Sequence, residues 1–186
     1  MKKEQQWIVT SVDGRIASVS VDYRGAARVL ETLASLPPAG TEEVTCRKLS
    51  TEELFALSDM VRWEDLYLVG TPFRKMVWKA LFDITHGPEG PVPPRLLSYT
   101  QLAESIGKGS GVRNVAHAVG LNPVNVIIPC HLIIPKEALQ RLHDLEEENS
   151  LFKWKTLYMV DQAVDYGEYA QGAALKRRLI QLHMNR

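Results

Sequence analysis

The strongest candidates for chemistry are a cysteine and a histidine side by side, Cys130 and His131, inside the apolar run NPVNVIIPCHLII at residues 122–134. A thiol becomes an efficient nucleophile when a neighbouring base or cation lowers its pKa. Adjacent side chains of a regular strand point to opposite faces, so these two could meet only through a turn, for which Pro129 is suited. From these residues alone a buried, inert Cys130 is the favoured interpretation, and a nucleophile activated by His131 is the alternative.

A metal site is a weaker interpretation of the same residue types. Structural zinc sites need four ligands, commonly in pairs such as C-x-x-C or H-x-x-x-H. The two cysteines and five histidines of the chain show no such pairing. We therefore predict no metal and no cofactor. We also expect Cys46 and Cys130 to be free thiols, because one disulfide is a poor staple for a chain of this length.

The composition is that of an ordinary globular protein. Of 186 residues, 45% are hydrophobic and 24% are charged, which is enough apolar material for a sizeable core. No apolar run has membrane-spanning length, and the opening MKKEQQWIVTSVDG contains no signal-peptide core. We predict a cytoplasmic location without membrane contact.

Charge is distributed unevenly, although the formal net charge is zero. Residues 95–136 contain four basic residues and one acidic residue, and residues 169–186 contain four basic residues and no acidic one. Between them, residues 137–168 contain three basic and eight acidic residues. Contact with DNA or RNA and an ordinary solvated surface are both compatible with this pattern.

Residues 1–68 are predicted to form a small domain of strands and helices. Apolar and polar residues alternate on both sides of Asp13-Gly14, which is the pattern of a β-hairpin. The other predicted elements are a helix over GAARVLETLASL ended by Pro37-Pro38, a strand over TEEVTCRKLS, and a helix over TEELFALSDMV capped by Ser50 or Thr51.

Residues 69–186 are predicted to form a second, mainly helical domain. The patterns SYTQLAESIG and GVRNVAHAVGLN, joined by GKGSG, are typical of a helix-turn-helix and also of a plain helical hairpin. The other predicted elements are a helix over GTPFRKMVWKALFDI with Phe73, Val77, Trp78 and Leu81 on one face, a buried strand or extended segment over VNVIIPCHLII, an acidic helical stretch from PKEALQR to MVDQAV, and a closing helix with Leu175, Leu179 and Leu182 on one side.

Three segments resemble the active domain of O6-alkylguanine-DNA alkyltransferases, also called methylated-DNA–protein-cysteine methyltransferases. They are GTPFRKMVW, SYTQLAESIGKGSGVRNVAHAVGLNPVNVIIPCH and YAQGAALKRRLI, in the order of that family. The spacing of S-Y-x-x-L-A, R, N-P and I-P-C-H is specific, and it reverses the preference for an inert cysteine. The resemblance implies an α+β fold, with a small ribonuclease-H-like α/β domain over 1–68 and a mostly helical domain over 69–186 that contains a winged helix-turn-helix-like motif.

The resemblance also implies an activity, a partner and a set of site residues. The activity is repair of double-stranded DNA containing O6-alkylguanine, by a monomer that accepts one alkyl group per molecule. Cys130 would be the acceptor, and His131 would deprotonate it through a bound water. Asn122 would shape their turn. Tyr99 would donate a proton toward the leaving guanine, and Arg113 would fill the gap left by the flipped base. The residues in contact with DNA would be Arg113, Tyr99, Asn114, Gly111 and Ser98. The substrate pocket would be formed by Tyr169, Ala170 and Pro129.

Two departures from the family concern activation of the thiol. Leu132 stands where the family usually has an arginine, which removes a positive charge beside the site. His183 stands where the family usually has a glutamate on the final helix. A neutral His183 could hold the tautomer of His131, but it offers no negative charge to the imidazolium. Transfer is therefore expected to be slow unless Asp165 or Glu168 supplies that charge.

A third departure is an acidic helical insertion at about residues 137–165, where the family has a short connection. An acidic segment would repel DNA phosphate, so a gate, a binding site for a protein partner and a purely structural element are all open. Two other functions are also open. One is a binding module that recognises alkylated DNA with weak or no transfer. The other is a cysteine hydrolase, although no residue marks its remote histidine or oxyanion hole.

Overall fold

The computed structural model describes residues 5–36, 42–87, 90–148 and 164–185, and it has an α+β fold. The strands are β1 (Gln6–Val12), β2 (Arg15–Ser20), β3 (Val44–Ser50), β4 (His86–Gly87), β5 (Gly90–Pro91), β6 (Leu97–Ser98) and β7 (Ile133–Ile134). The α-helices are α1 (Arg24–Ser35), α2 (Thr51–Met60), α3 (Pro72–Phe82), α4 (Tyr99–Ser105), α5 (Val112–Gly120), α6 (Lys136–Glu148) and α7 (Ala173–Met184). Short 3-10 turns lie at Trp63–Asp65, Gly109–Gly111 and Cys130–Leu132.

The predicted hairpin is confirmed as β1 and β2. These strands pair antiparallel around Asp13 and Gly14, whose φ angles of 48° and 78° suit a tight hairpin turn. The strand β3 pairs antiparallel with the other edge of β1, so the sheet order is β2-β1-β3. Trp7 on β1 is fully buried, and its indole nitrogen donates a hydrogen bond to the Thr51 hydroxyl at 3.1 Å. This contact fixes the sheet against α2.

The first two predicted helices are confirmed as α1 and α2. Ser50 is the N-cap of α2, because its hydroxyl accepts from the Glu53 backbone and the Glu53 carboxylate accepts from the Ser50 backbone. The helix α1 packs on β2 and ends at Ser35, just before the two prolines, which lie outside the described residues.

The helices α3, α4 and α5 pack against one another. Val77, Trp78 and Leu81 are buried on one face of α3, as predicted, while Phe73 is partly buried. The Trp78 indole donates to the Ala118 carbonyl of α5 at 2.8 Å, which locks α3 onto α5. The turn Gly109–Gly111 joins α4 to α5.

The predicted burial of VNVIIPCHLII is confirmed, but the predicted strand or extended conformation is largely wrong. Only Ile133–Ile134 forms a strand, β7, which pairs parallel with β6. Cys130–Leu132 is a 3-10 turn, since Pro129 with φ −81° and ψ 58° ends the extended course. Earlier in the loop Val126 has φ 73°, which is rare for a β-branched residue, and its side chain is completely buried.

The acidic insertion is described only in part. Its first portion is α6, as predicted, and residues 164–169 have no regular structure. Residues 149–163 lie outside the described part of the chain, so the prediction for that stretch stays a prediction.

The closing helix is confirmed as α7, but its buried face is not the predicted one. Leu179 is buried and Leu175 is partly buried, whereas Leu182 is exposed. Lys176 and His183 lie in the interior instead.

One apolar cluster joins the sheet to most of the helices. It includes Trp7 and Val19 from the sheet, Leu81 from α3, Ile127 from the loop before the Cys-His turn, and Leu179 from α7. In the described residues no helix is long and apolar enough to cross a membrane. The cytoplasmic location and the division at residue 68 stay predictions.

Candidate active site

The turn that carries Cys130 is built by the side chain of Asn122. The Asn122 amide nitrogen donates to the Ile128 carbonyl at 2.8 Å, and its amide oxygen accepts from the Val124 backbone at 3.0 Å. These two bonds close the loop between α5 and the Cys-His turn. The same nitrogen lies 3.0 Å from the Cys130 sulfur, to which it donates a hydrogen bond. Asn122 thus shapes the turn, as expected, and also supplies a donor to the sulfur.

His131 bonds to His183 rather than to a carboxylate. The His131 Nε2 and His183 Nδ1 atoms are 2.9 Å apart, and both side chains are buried. The edge of the His183 ring contacts Phe55, with ring centroids 4.9 Å apart. The two acids named as substitutes are elsewhere: Asp165 accepts from the Gly167 backbone, and Glu168 lines the pocket described below. His183 therefore occupies the orienting position.

The tautomers follow from the role of each nitrogen. If His131 is to take a proton at Nδ1, its Nε2 must carry hydrogen and donate to His183 Nδ1. Within the described residues His131 Nδ1 has no hydrogen-bond partner, and it is buried. The imidazole is thus held at one end, with the other nitrogen available to act as a base.

Burial dominates the protonation of the pair. It raises the pKa of the Cys130 thiol, against the hydrogen bond from Asn122, the charge of Lys176 and the Tyr169 hydroxyl. Burial also holds the pKa of His131 well below its usual value, and the nearby charges of His183 and Lys176 lower it further. The resting site therefore contains a neutral thiol and a neutral imidazole.

Two residues at the site escaped the sequence analysis. Asn125 accepts a hydrogen bond from the Tyr169 hydroxyl and lies near the Cys130 sulfur. In the sequence, Asn125 stands out only as a polar residue within an apolar run. Lys176 is only 1% exposed, and its ammonium donates to the Tyr166 and Glu168 carbonyls. A helical face drawn through His183 at spacings of three and four residues would have included it.

Lys176 is an unusual interior charge. Burial lowers its pKa to about 8, against the opposing influence of Cys130 and Asp165. The ammonium is thus largely charged at neutral pH, and it favours the thiolate of Cys130 over the thiol. It also disfavours the imidazolium of His131. The charge of Lys176 therefore favours loss of a proton by Cys130 and opposes its uptake by His131.

A pocket of about 360 Å³ opens beside the sulfur. Its lining residues are Tyr99, Ala116, Val119, Gly120, Asn122, Asn125, Cys130, Glu168, Tyr169 and Ala170. Tyr169 and Ala170 thus line the pocket, whereas Pro129 is buried and is not among its lining residues, and the binding of substrate here stays a prediction. Burial and the nearby sulfur raise the pKa of the Tyr99 hydroxyl, so it keeps its proton and can donate it.

The predicted DNA-contacting residues fall into two groups. Arg113 and Asn114 are exposed near the start of α5, and Gly111 is partly exposed in the turn before it. Ser98 is only 2% exposed, and its hydroxyl accepts from the Gln101 backbone as the N-cap of α4. Ser98 therefore caps α4, and its contact with DNA stays a prediction. Both cysteines are free, Cys46 being exposed.

Comparison with known proteins agrees with the resemblance found in the sequence. Residues 72–151 match the family model described as the DNA-binding domain of 6-O-methylguanine DNA methyltransferase. A probable methylated-DNA–protein-cysteine methyltransferase of Acanthamoeba polyphaga mimivirus is 40% identical over 72 residues, which are 39% of this chain and 44% of that protein. The methylated-DNA–protein-cysteine methyltransferase of Shigella flexneri is 40% identical over 65 residues, or 35% of this chain and 34% of that protein. The matches thus span less than half of these relatives.

The fold likeness extends further along the chain. The crystal structure of O6-methylguanine-DNA methyltransferase from the archaeon Pyrococcus kodakaraensis strain KOD1 superposes with a TM-score of 0.57 at 19% identity, covering 98% of this chain and 94% of that one. At this identity the likeness is one of fold. Residues 72–151, which contain the Cys-His turn and the α4–α5 pair, are therefore similar to the DNA-binding domain of 6-O-methylguanine DNA methyltransferases.

Proposed function

We propose that this protein repairs DNA by moving a methyl or other alkyl group from O6 of guanine to the sulfur of Cys130. The observation that carries the proposal is the sulfur itself, at the edge of a pocket of about 360 Å³, with the Asn122 amide donating to it at 3.0 Å. An inert core cysteine needs neither an adjacent pocket nor a donor. Such a donor stabilises negative charge on sulfur, which is the form that attacks carbon.

The reaction we propose is one displacement at carbon. The Cys130 proton passes toward His131, directly or through water, and the thiolate attacks the alkyl carbon. The carbon–sulfur bond forms as the carbon–oxygen bond breaks, and the electron pair of that bond stays with guanine. Tyr99 donates a proton to the leaving guanine and regains one from solvent, and His131 releases the Cys130 proton to solvent, so both residues end in their starting protonation states. Because the thioether has no route to release its alkyl group, each molecule acts once.

We propose that access to the lesion requires the nucleotide to leave the duplex, since the sulfur is buried. The helices α4 and α5 would serve as a winged helix-turn-helix-like motif, with α5 in the minor groove and Arg113 in the space left by the base. The exposed position of Arg113 near the start of α5, beside exposed Asn114, supports this role. The antiparallel sheet with α1 packed against it would be the ribonuclease-H-like domain.

Several expectations stay predictions beside this proposal. They are a monomeric state, a cytoplasmic location and a protein partner for the acidic insertion. Asn114 and Gly111 are proposed as contacts to the DNA backbone, and Tyr169 and Ala170 as the walls that hold the guanine.

The decisive experiment is intact mass spectrometry after incubation with a duplex oligonucleotide that contains one O6-methylguanine. We expect each protein molecule to gain the mass of one methyl in place of hydrogen, with unmodified guanine left in the DNA. The Cys130→Ala variant should gain nothing, and Cys46→Ala, the matched control at the exposed cysteine, should react like the parent. Binding to the lesion duplex without a mass change would refute transfer and identify a binding module.

A further inference from the structure

Asn125 connects the sulfur of Cys130 to the N-terminal sheet. Its amide nitrogen donates to the Val19 carbonyl of β2 at 2.7 Å. Its amide oxygen accepts from the Tyr169 hydroxyl at 3.0 Å and lies 3.7 Å from the Cys130 sulfur, within reach of the thiol hydrogen. The side chain is 5% exposed, so these contacts are made away from bulk water.

The orientation of this amide is fixed by its partner on β2. A backbone carbonyl such as that of Val19 can only accept, so the donor nitrogen of Asn125 must face it. The Val19 and Asn125 segments are also joined through the backbone, because Val19 donates to the Pro123 carbonyl at 3.0 Å and Asn125 donates to the Val19 carbonyl at 3.3 Å. The amide oxygen therefore always faces Cys130 and Tyr169, and toward them it can only accept.

We propose that Asn125 is a positioning residue that stabilises Cys130 as a neutral thiol in the resting protein. An acceptor beside the sulfur favours the form that carries a hydrogen, because a thiolate would face the amide oxygen without one. Asn125 also accepts from the Tyr169 hydroxyl, a group whose influence lowers the pKa of Cys130. The proposal rests on the proposed function, in which Cys130 is the alkyl acceptor.

Other groups around the sulfur favour the thiolate. The Asn122 amide donates to it, and the Lys176 ammonium of α7 favours negative charge there. Within the described part of the chain, the other titratable groups near the site include Tyr99 of α4, Glu168 and Tyr169 of the segment before α7, His131 of the turn, and His183 of α7. Asn125 differs from the other neutral donors and acceptors because it presents only an acceptor to the sulfur.

The consequence for the protein is selectivity. A sulfur that can be used once is wasted by any stray electrophile that reaches it as a thiolate. Holding the thiol neutral until guanine fills the pocket restricts alkylation to the intended substrate. Because the hydrogen bond to Val19 orients Asn125, this stabilisation of the neutral thiol depends on the position of the sheet.

The test is the pH dependence of Cys130 alkylation by iodoacetamide without DNA, followed on the Cys130 peptide by mass spectrometry. The exposed Cys46 is an internal control, because its reaction should be the same in every variant. If Cys130 reacts too slowly, thiolate absorbance in the ultraviolet gives the same midpoint. Circular dichroism melts check that each variant is folded.

Two substitutions at one position separate this role from a structural one. Asn125→Ala removes the acceptor and frees Tyr169, so the midpoint for Cys130 should fall by roughly half to one pH unit, the effect of one hydrogen bond. Asn125→Asp places a carboxylate beside the sulfur, so the midpoint should rise. A loss of packing alone would move both variants in one direction, and that outcome would overturn the proposal.

The Tyr169→Phe variant supplies the remaining comparison. In this background Asn125→Ala should lower the midpoint less, because no hydroxyl is left to turn toward the thiolate. An unchanged midpoint in Asn125→Ala itself would also overturn the proposal. Neither result depends on methyl transfer, so a protein that failed to repair O6-methylguanine would refute the proposed function while leaving the test of Asn125 readable.

Discussion

Replacing His183 with glutamate is expected to accelerate alkyl transfer. With His131 acting as the base, its Nε2 donates to His183 Nδ1 at 2.9 Å, but His183 offers no negative charge when the imidazole takes the Cys130 proton. A carboxylate at this point would stabilise the imidazolium. Because burial and the charges of His183 and Lys176 hold the pKa of His131 well below its usual value, proton transfer from the thiol is unfavourable in the native site. The glutamate opposes that effect directly.

The size of the gain follows from two opposed contributions. A carboxylate in contact with a histidine raises its pKa by about 1–3 units, and each unit corresponds to about 1.4 kcal/mol. Burial of the new carboxylate beside Phe55 reduces this gain. We expect the smaller end of the range, which is an increase of about tenfold in the rate of single-turnover transfer.

The assay is the single-turnover rate of methyl transfer from an O6-methylguanine duplex, measured across pH. His183→Gln is the matched control, because glutamine has the shape of glutamate and can accept the same hydrogen bond without the charge. The rate should rise for His183→Glu and stay near the parent value for His183→Gln. Equal rates for the two variants, or a slower His183→Glu with an unchanged melting temperature, would mean that a carboxylate has no role here.

Three further predictions concern DNA binding, pH and folding. Arg113→Ala should slow transfer from duplex DNA by about tenfold or more, since the cost of extruding a base is a few kcal/mol, while alkylation by iodoacetamide is unchanged. The free energy of unfolding should decrease as pH falls below about 6.5, because the pKa of His131 is lower in the folded than in the unfolded protein and the unfolded chain takes up the proton first. Urea titrations should show this slope, and His131→Gln should flatten it. Ser98→Ala should lower the unfolding free energy by about 1 kcal/mol through loss of the α4 cap, measured in the same titrations.

The local elements were predictable because their signals are local. The hairpin at Asp13-Gly14 and the Ser50 cap are specified by adjacent residues. The buried face of α3 follows from helical spacing. The family motif likewise brought Cys130, His131 and Asn122 to one turn, since these positions are close together in the chain, and their roles stay predictions.

The errors came from contacts between distant parts of the chain. Asn125 bonds to Val19 across 106 residues, and no periodicity connects them. The face of α7 was misassigned because Leu182 fits an apolar pattern better than Lys176 does, yet the lysine finds carbonyl acceptors in the segment at residues 166–168.

The backbone at Val126 implies a compromise that single substitutions cannot improve. A positive φ at a β-branched residue costs of order 1–3 kcal/mol. Its side chain is nevertheless fully buried in the core. Glycine would relax the backbone and leave a cavity, whereas asparagine would tolerate the φ angle and bury an amide. Directed evolution toward higher thermostability should therefore leave this position unchanged and find its gains elsewhere.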